Sequence, residues 1–238
     1  LKSAAIHRRL EALGNPERVR TLQRFFKTAP GEYGEGDVFA GLYVPEIRKL
    51  AREYEALPLP EVLDLLHSRI HEARLLALLV LVRAYARGDA ATRERICRLY
   101  LENSRFINSW DLVDTSAEHI VGRHLLDRDR APLYALAKSG LLWDRRIAVM
   151  STFHFIKRGE FGETLRIAER LLGDREDLIH KATGWMLREI GKRDRTAEEG
   201  FLRVHCNVMP RTMLRYAIER FPEELRQRYL RGEVPSDA

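Results

Sequence analysis

Apolar residues recur at helical spacing along almost the whole chain, and no stretch settles into the alternation of a half-buried strand. Ser3 followed by Ile6, Leu10 and Leu13, and Pro16 followed by Val19, Leu22, Phe25 and Phe26, predict two short amphipathic helices punctuated by Gly14-Asn15. Val44-Pro45-Glu46 has the form of a helix start, with proline in the first turn where its missing N–H costs nothing. Beyond it, leucine-, alanine- and arginine-rich segments alternate with short breaks at Gly88-Asp89, Gly122, Asp127 to Asp129, Gly140, Gly159, Gly173-Asp174 and Gly191. The pattern predicts an all-α chain.

The breaks are regular. Arg74, Trp110, Arg146, Lys181 and Arg215 follow one another at steps of 36, 36, 35 and 34 residues, each read as opening the second helix of a pair. Hairpins of this length stacked in series build a curved solenoid of HEAT-like helical-pair repeats, expected as a single domain over residues 1–238 with one helix of each pair lining a concave face. Four residues beyond each opener stand Leu78, Asp114, Met150, Trp185 and Glu219. This register predicts that Trp110, Asp114, Arg146 and Trp185 share a wall. Arg74, Lys181 and Arg215 would continue it as a basic stripe that tracks a phosphate backbone, thickened by Arg145, Lys192, Arg193, Arg195, Arg211 and Arg220. The competing reading leaves the same cations at helix ends, where they offset the backbone dipole.

Composition narrows the partner without naming it. Lys and Arg outnumber Asp and Glu by 41 to 35, a modest excess that matters only if it gathers on one face. Cys97 and Cys206 are far apart and belong to no C-x-x-C pair, so neither a disulfide framework nor a zinc site is indicated and a reducing cytoplasm is the expected compartment. The longest apolar run, Leu75 to Val82, falls far short of the roughly 20 residues a membrane span needs. A soluble monomer is expected. The glycine-rich stretch from Pro30 to Phe39 does not qualify as a phosphate loop: no strand precedes it, the Gly-Lys-Ser/Thr ending is missing, and Glu32, Glu35 and Asp37 would repel a phosphate.

One stretch breaks its own helix pattern: Asn108-Ser109-Trp110-Asp111-Leu112-Val113-Asp114-Thr115. Read as a helix, it projects Trp110 and Asp114 from one face, an indole beside a carboxylate, which suits a flat cationic ligand. The plainer reading is a buried Trp in a helix that Asp111 caps. Two tryptophans bracketing a carboxylate add what a pure phosphate binder lacks, because an ionised Asp stabilises positive charge developing on a sugar. No H-E-x-x-H occurs, His119 and His124 lie five residues apart, and no nucleophile turn is present, so neither a metal nor a cofactor is assigned.

Several separated segments together resemble a known family. Tyr33-Gly34-Glu35-Gly36-Asp37-Val38-Phe39 with Val44-Pro45-Glu46-Ile47-Arg48-Lys49-Leu50, then the Asn108 to Asp114 stretch, Trp143-Asp144-Arg145-Arg146-Ile147-Ala148, and Lys181-Ala182-Thr183-Gly184-Trp185-Met186-Leu187-Arg188-Glu189 look like the DNA alkylation repair family of bacterial alkylpurine DNA glycosylases, the AlkD type. The resemblance implies an arc of HEAT-like repeats gripping duplex DNA that carries alkylated purines, and a monofunctional glycosylase that needs no cofactor. It places the catalytic aspartate on Asp114, the two lesion-facing tryptophans on Trp110 and Trp185, and the phosphate-holding arginine on Arg146. Phe25 falls on an aromatic position that approaches the lesion, where a tyrosine is common. The expected substrates are cationic N3- and N7-alkylpurines such as 3-methyladenine and 7-methylguanine, cleaved without a deep pocket for an extracted base. The rival is a non-catalytic helical-repeat scaffold that binds DNA structures or proteins.

Overall fold

Asn15 and Pro16 start the second helix where the pattern predicts. The computed structural model describes residues 2–233. α1 (Ser3–Leu13) is followed by α2 (Pro16–Phe25), capped by Asn15, whose side-chain oxygen accepts the Glu17 N–H at 2.9 Å. In α3 (Val44–Glu53) the Glu46 carboxylate reaches back to the Tyr43 N–H at 2.7 Å. α4 (Leu59–Leu66), α5 (His71–Arg87), α6 (Ala90–Glu102) and the five-residue α7 (Trp110–Asp114) complete the first of two compact units, Leu1–Ile120. The first two turns of α5, from His71 to Leu78, are buried on every side, as expected of a helix packed between α3 and α4 with α7 also against it.

The second unit, Val121–Ala238, runs through α8 (Arg123–Leu125), α9 (Ala131–Ala137), α10 (Leu142–Ser151), α11 (Phe153–Ile156), α12 (Gly162–Arg170), α13 (Asp177–Gly191), α14 (Arg195–His205), α15 (Arg211–Ala217) and α16 (Glu223–Arg231). Here the helical-pair repeat is explicit: α9 packs on α10, α12 and α14 on α13, and α13 joins α10 to α15. Leu187, Leu202, Met213, Leu214 and Tyr229 build its core. Among the described residues the β structure is one isolated bridge, Val38 to Ile70, and no helix is long and apolar enough to cross a membrane.

The repeat register holds in part. Arg146, Lys181 and Arg215 are each the fifth residue of their helix, one turn in rather than at its opening. Arg74 is fourth in α5, and Trp110 is first in α7. The four-residue offset traces no uniform surface: Leu78 and Met150 are core, Asp114 and Trp185 are half-buried, and Glu219 is exposed. One predicted break is also absent. Residues 118–122 form a helical turn that leads directly into α8, and a side chain on Gly122 would fall on the Ser151 carbonyl, so this glycine serves close packing instead of a chain break.

A buried acid in the second unit yields a stability prediction. Glu198 is 2% exposed, its Oε1 has no hydrogen-bond partner among the described residues, and burial pushes its pKa up to about 8. With the folded value above the unfolded one, its favourable contribution is complete below about pH 4.5 and is lost as pH rises toward 8. Glu198→Gln should therefore flatten the fall in thermal midpoint between pH 5 and pH 8. An undiminished fall in the variant would assign it to other groups.

Candidate active site

Ser109 is in extended conformation ahead of α7, and one turn later Thr115 folds its hydroxyl back onto the Asp111 carbonyl at 2.7 Å. Such a short helix has too few backbone bonds to be stable alone, so its position is set from outside. His71, the first residue of α5, supplies the anchor: Nε2 lies 2.8 Å from Asp111 Oδ2 and Nδ1 lies 3.1 Å from Asp37 Oδ2. Both ring nitrogens can donate to carboxylates only when the imidazole is protonated. Burial pulls the His71 pKa down, but the Asp111 charge and the two carboxylate hydrogen bonds outweigh burial and hold it at about 9. Asp111 does not cap the helix, as the plainer sequence reading supposed; its carboxylate clamps α7 to α5.

The loop before α3 is held to the same helix start. The Glu72 carboxylate accepts the N–H groups of Ala40, Gly41 and Leu42 at 2.9, 2.9 and 3.1 Å. Gly41 has φ +90°, a conformation that favours glycine. Val38 bridges to α5, with His71 donating its N–H to the Val38 carbonyl at 2.8 Å. This brings Asp37 and Phe39 inward. The loop's own acids occupy its N–H groups, Glu32 at Ala29 and Glu35 at Gly31, in keeping with the rejection of a phosphate loop.

On this base stands an aromatic stack. Trp110 lies over Phe26 with ring centroids 5.5 Å apart, and Phe26 lies over Phe39 at 5.2 Å. Phe39 and Phe26 both face the His71 ring at 4.7 Å. Phe25 meets Trp110 edge-on at 5.7 Å, and the indole Nε1 donates to Tyr33 Oη at 3.2 Å. Phe25 is 61% exposed, an unusual place for a phenylalanine without a partner to cover it. Phe25, Phe26, Phe39, Trp110 and Asp114 line one cleft of about 450 Å³. Sequence reasoning expected no such cavity. The lining surface is almost wholly apolar, although Asp114, half-buried, and the internally bonded His71, Glu72 and Asp111 belong to it.

A family model for DNA alkylation repair enzymes matches residues 6–221. The chain belongs to the DNA alkylation repair enzyme family. Its role lies in the repair of alkylation damage to DNA. A solved structure described as a predicted DNA alkylation repair enzyme from Enterococcus faecalis is similar in fold, with a TM-score of 0.67 and 17% identity over 88% of this chain and 97% of that one. A comparison with curated proteins found no match.

In this alkylation repair enzyme the basic stripe needs correction at two positions. Arg74 is 4% exposed and is ion-paired to Asp37 at 2.7 Å, with Nη1 on the Ser68 and Arg69 carbonyls, so its cation is spent on the base of the clamp. Arg146 is 5% exposed, and its Nη1 donates to the Leu178 carbonyl at 2.6 Å. Desolvated and bonded guanidinium groups cannot track a phosphate backbone. Lys181 keeps partial exposure beside Asp177, and Arg215 is exposed. Of the supposed thickening residues, Arg145 pairs with Asp174, Lys192 and Arg193 with Glu189, and Arg195 with Glu199. Trp185, half-buried in the second unit, donates its Nε1 to Glu189 at 3.2 Å and lies 6.1 Å from the Phe153 ring.

The clamp was missed in the sequence. Asp37 stood in the loop dismissed for its acidity, and His71 opens a segment read for Arg74 and its apolar run. One signal was present, since a histidine beside Glu72 at the head of an apolar helix needs polar partners once buried.

Proposed function

We propose that this enzyme hydrolyses the N-glycosidic bond of cationic N3- and N7-alkylpurines in duplex DNA and leaves an abasic site. The observation that supports this reading is the cleft that Asp114 lines together with Trp110 and Phe25. An N3- or N7-alkylated purine already carries the positive charge that a general acid would otherwise create, so departure of the base needs no proton donor. The work lies on the sugar. As the C–N bond lengthens, the deoxyribose approaches an oxocarbenium ion, which the Asp114 carboxylate stabilises while it orients the attacking water. Aromatic faces attract the cationic base or its sugar without demanding a particular hydrogen-bond pattern. No lysine takes the place of a Schiff-base nucleophile in this scheme, which makes the reaction plain hydrolysis.

The lining also bears on lesion choice. Its polar groups are largely committed inside the protein, His71 to Asp111 and Asp37 and Glu72 to three backbone amides. A wall of this kind cannot read base edges, so selectivity rests on the charge of the leaving group. A cleft of about 450 Å³ also gives room for a large substituent. Single-turnover base release should therefore be measured from matched duplexes carrying 7-methylguanine, a bulky cationic purine adduct and hypoxanthine. Release of both cations with hypoxanthine left in place is the expected result. Efficient hypoxanthine release would overturn selection by the charge of the leaving group, and no release from any duplex would remove the proposal and leave a scaffold that binds DNA.

A further inference from the structure

A second cavity of the first unit, about 230 Å³, shares Thr115 with the Asp114 cleft. Its chemistry is the opposite of the cleft's. Arg48, Arg52, Arg83 and His119 line it over a floor that includes Leu79 and Val82, and no carboxylate belongs to the lining. Arg48 and Arg52 are four residues apart on α3, both exposed, and neither side chain has a hydrogen bond or ion pair among the described residues. Their neighbours differ: Arg9 pairs with Glu53, Arg18 with Glu46, and Arg83 and Arg87 with Glu55. Like charges at this helical spacing destabilise a helix, so two uncompensated guanidinium groups facing one hollow are arranged for an anion that the protein itself does not supply.

We propose that Arg48 and Arg52 form a phosphodiester subsite for the DNA strand whose damaged nucleotide enters the Asp114 cleft. The proposal rests on the functional reading above for what fills the cleft, and on the cavity itself for what fills the subsite. Planar guanidinium forks match the oxygens of a phosphate, and the apolar floor suits the carbon face of the adjoining sugar. Thr115 follows Asp114 directly and borders both cavities, so they adjoin and one strand can supply a group to each. Buried Arg74 and Arg146 are unfit for this task, whereas Arg48 and Arg52 are accessible and uncommitted.

Equilibrium binding of undamaged duplex DNA across a salt series tests the subsite without any catalysis. Losing one phosphate contact should lower the slope of log affinity against log salt by about one unit in Arg48→Ala/Arg52→Ala. Affinity at fixed moderate salt should fall about tenfold, the scale of a lost charge-assisted contact. Arg48→Lys/Arg52→Lys should keep the slope while losing part of the affinity, since the charge remains and the fork does not. Arg95→Ala/Arg98→Ala, which removes the same charge from exposed positions on α6, should leave the slope in place. An unchanged slope in the α3 alanine variant, or an equal drop in the α6 control, overturns the proposal. So does weakened binding of inorganic phosphate with duplex binding intact, which would mark a free-anion site. If the slope changes as expected while no lesion is released in the base-release assay, the subsite stands and the glycosylase reading fails.

Discussion

Asp114→Asn should lower single-turnover release of 7-methylguanine from duplex DNA by about 10²–10³-fold, the usual loss when one preorganised electrostatic stabiliser is removed. The amide is nearly isosteric with the carboxylate, so the cleft and α7 keep their shape. What changes is the response to positive charge on C1′ and O4′ of the sugar: a carboxylate lowers the energy of that charge, and a neutral amide does so only through its dipole. The loss should appear in the chemical step, with affinity for undamaged duplex within about twofold of the unsubstituted protein, because a half-buried carboxylate beside a polyanion contributes nothing favourable to binding. Rate and affinity falling together would indicate a structural role for Asp114. An unaltered rate would end the assignment. Trp110→Ala separates the two contributions, since it removes a ring that stacks on Phe26 and borders the same cleft while leaving the carboxylate.

The second large effect is expected at a residue that need not touch the substrate. His71→Leu leaves Asp111 without its cationic partner and reduces Asp37 to Arg74. Breaking a buried ion pair from one side costs about 3–5 kcal/mol, because the remaining charge stays desolvated. Chemical denaturation at pH 6 should show a loss of that order, and His71→Leu/Asp111→Leu should recover part of it by removing the stranded carboxylate. The pH dependence is a second readout. The folded His71 pKa of about 9 lies above its ordinary 6.5, so the stabilisation is fully present below about pH 6.5 and is lost as pH rises through 9. The difference in stability between the unsubstituted protein and His71→Leu should shrink over that interval. A difference independent of pH would mean that His71 acts by packing against Phe26 and Phe39 alone. Because α7 carries both Asp111 and Asp114, loosening the clamp should also slow base release in the variant that still folds.

Helical periodicity, Pro and Gly punctuation and the spacing of near 35 residues were enough to read an all-α helical-pair repeat, since burial of one face per helix is a local demand that each segment must meet for itself. The family motifs carried Trp110, Asp114 and Phe25 to one cleft for a similar reason: two of them lie one turn apart, and the third sits at the end of a helix whose own pattern is plain. Which cations face solvent was not legible. Arg74, Arg146 and Arg215 look alike in sequence, yet the first two are buried against a carboxylate or a carbonyl brought from elsewhere in the chain, and only the last is exposed. The clamp of Asp37, His71 and Asp111 was hidden for the same reason, with its members 34 and 40 residues apart. A charged side chain reads the same whether water or a distant partner satisfies it. Only the tertiary fold decides which, because desolvation and pairing depend on what is packed against the group and not on its place in the helix.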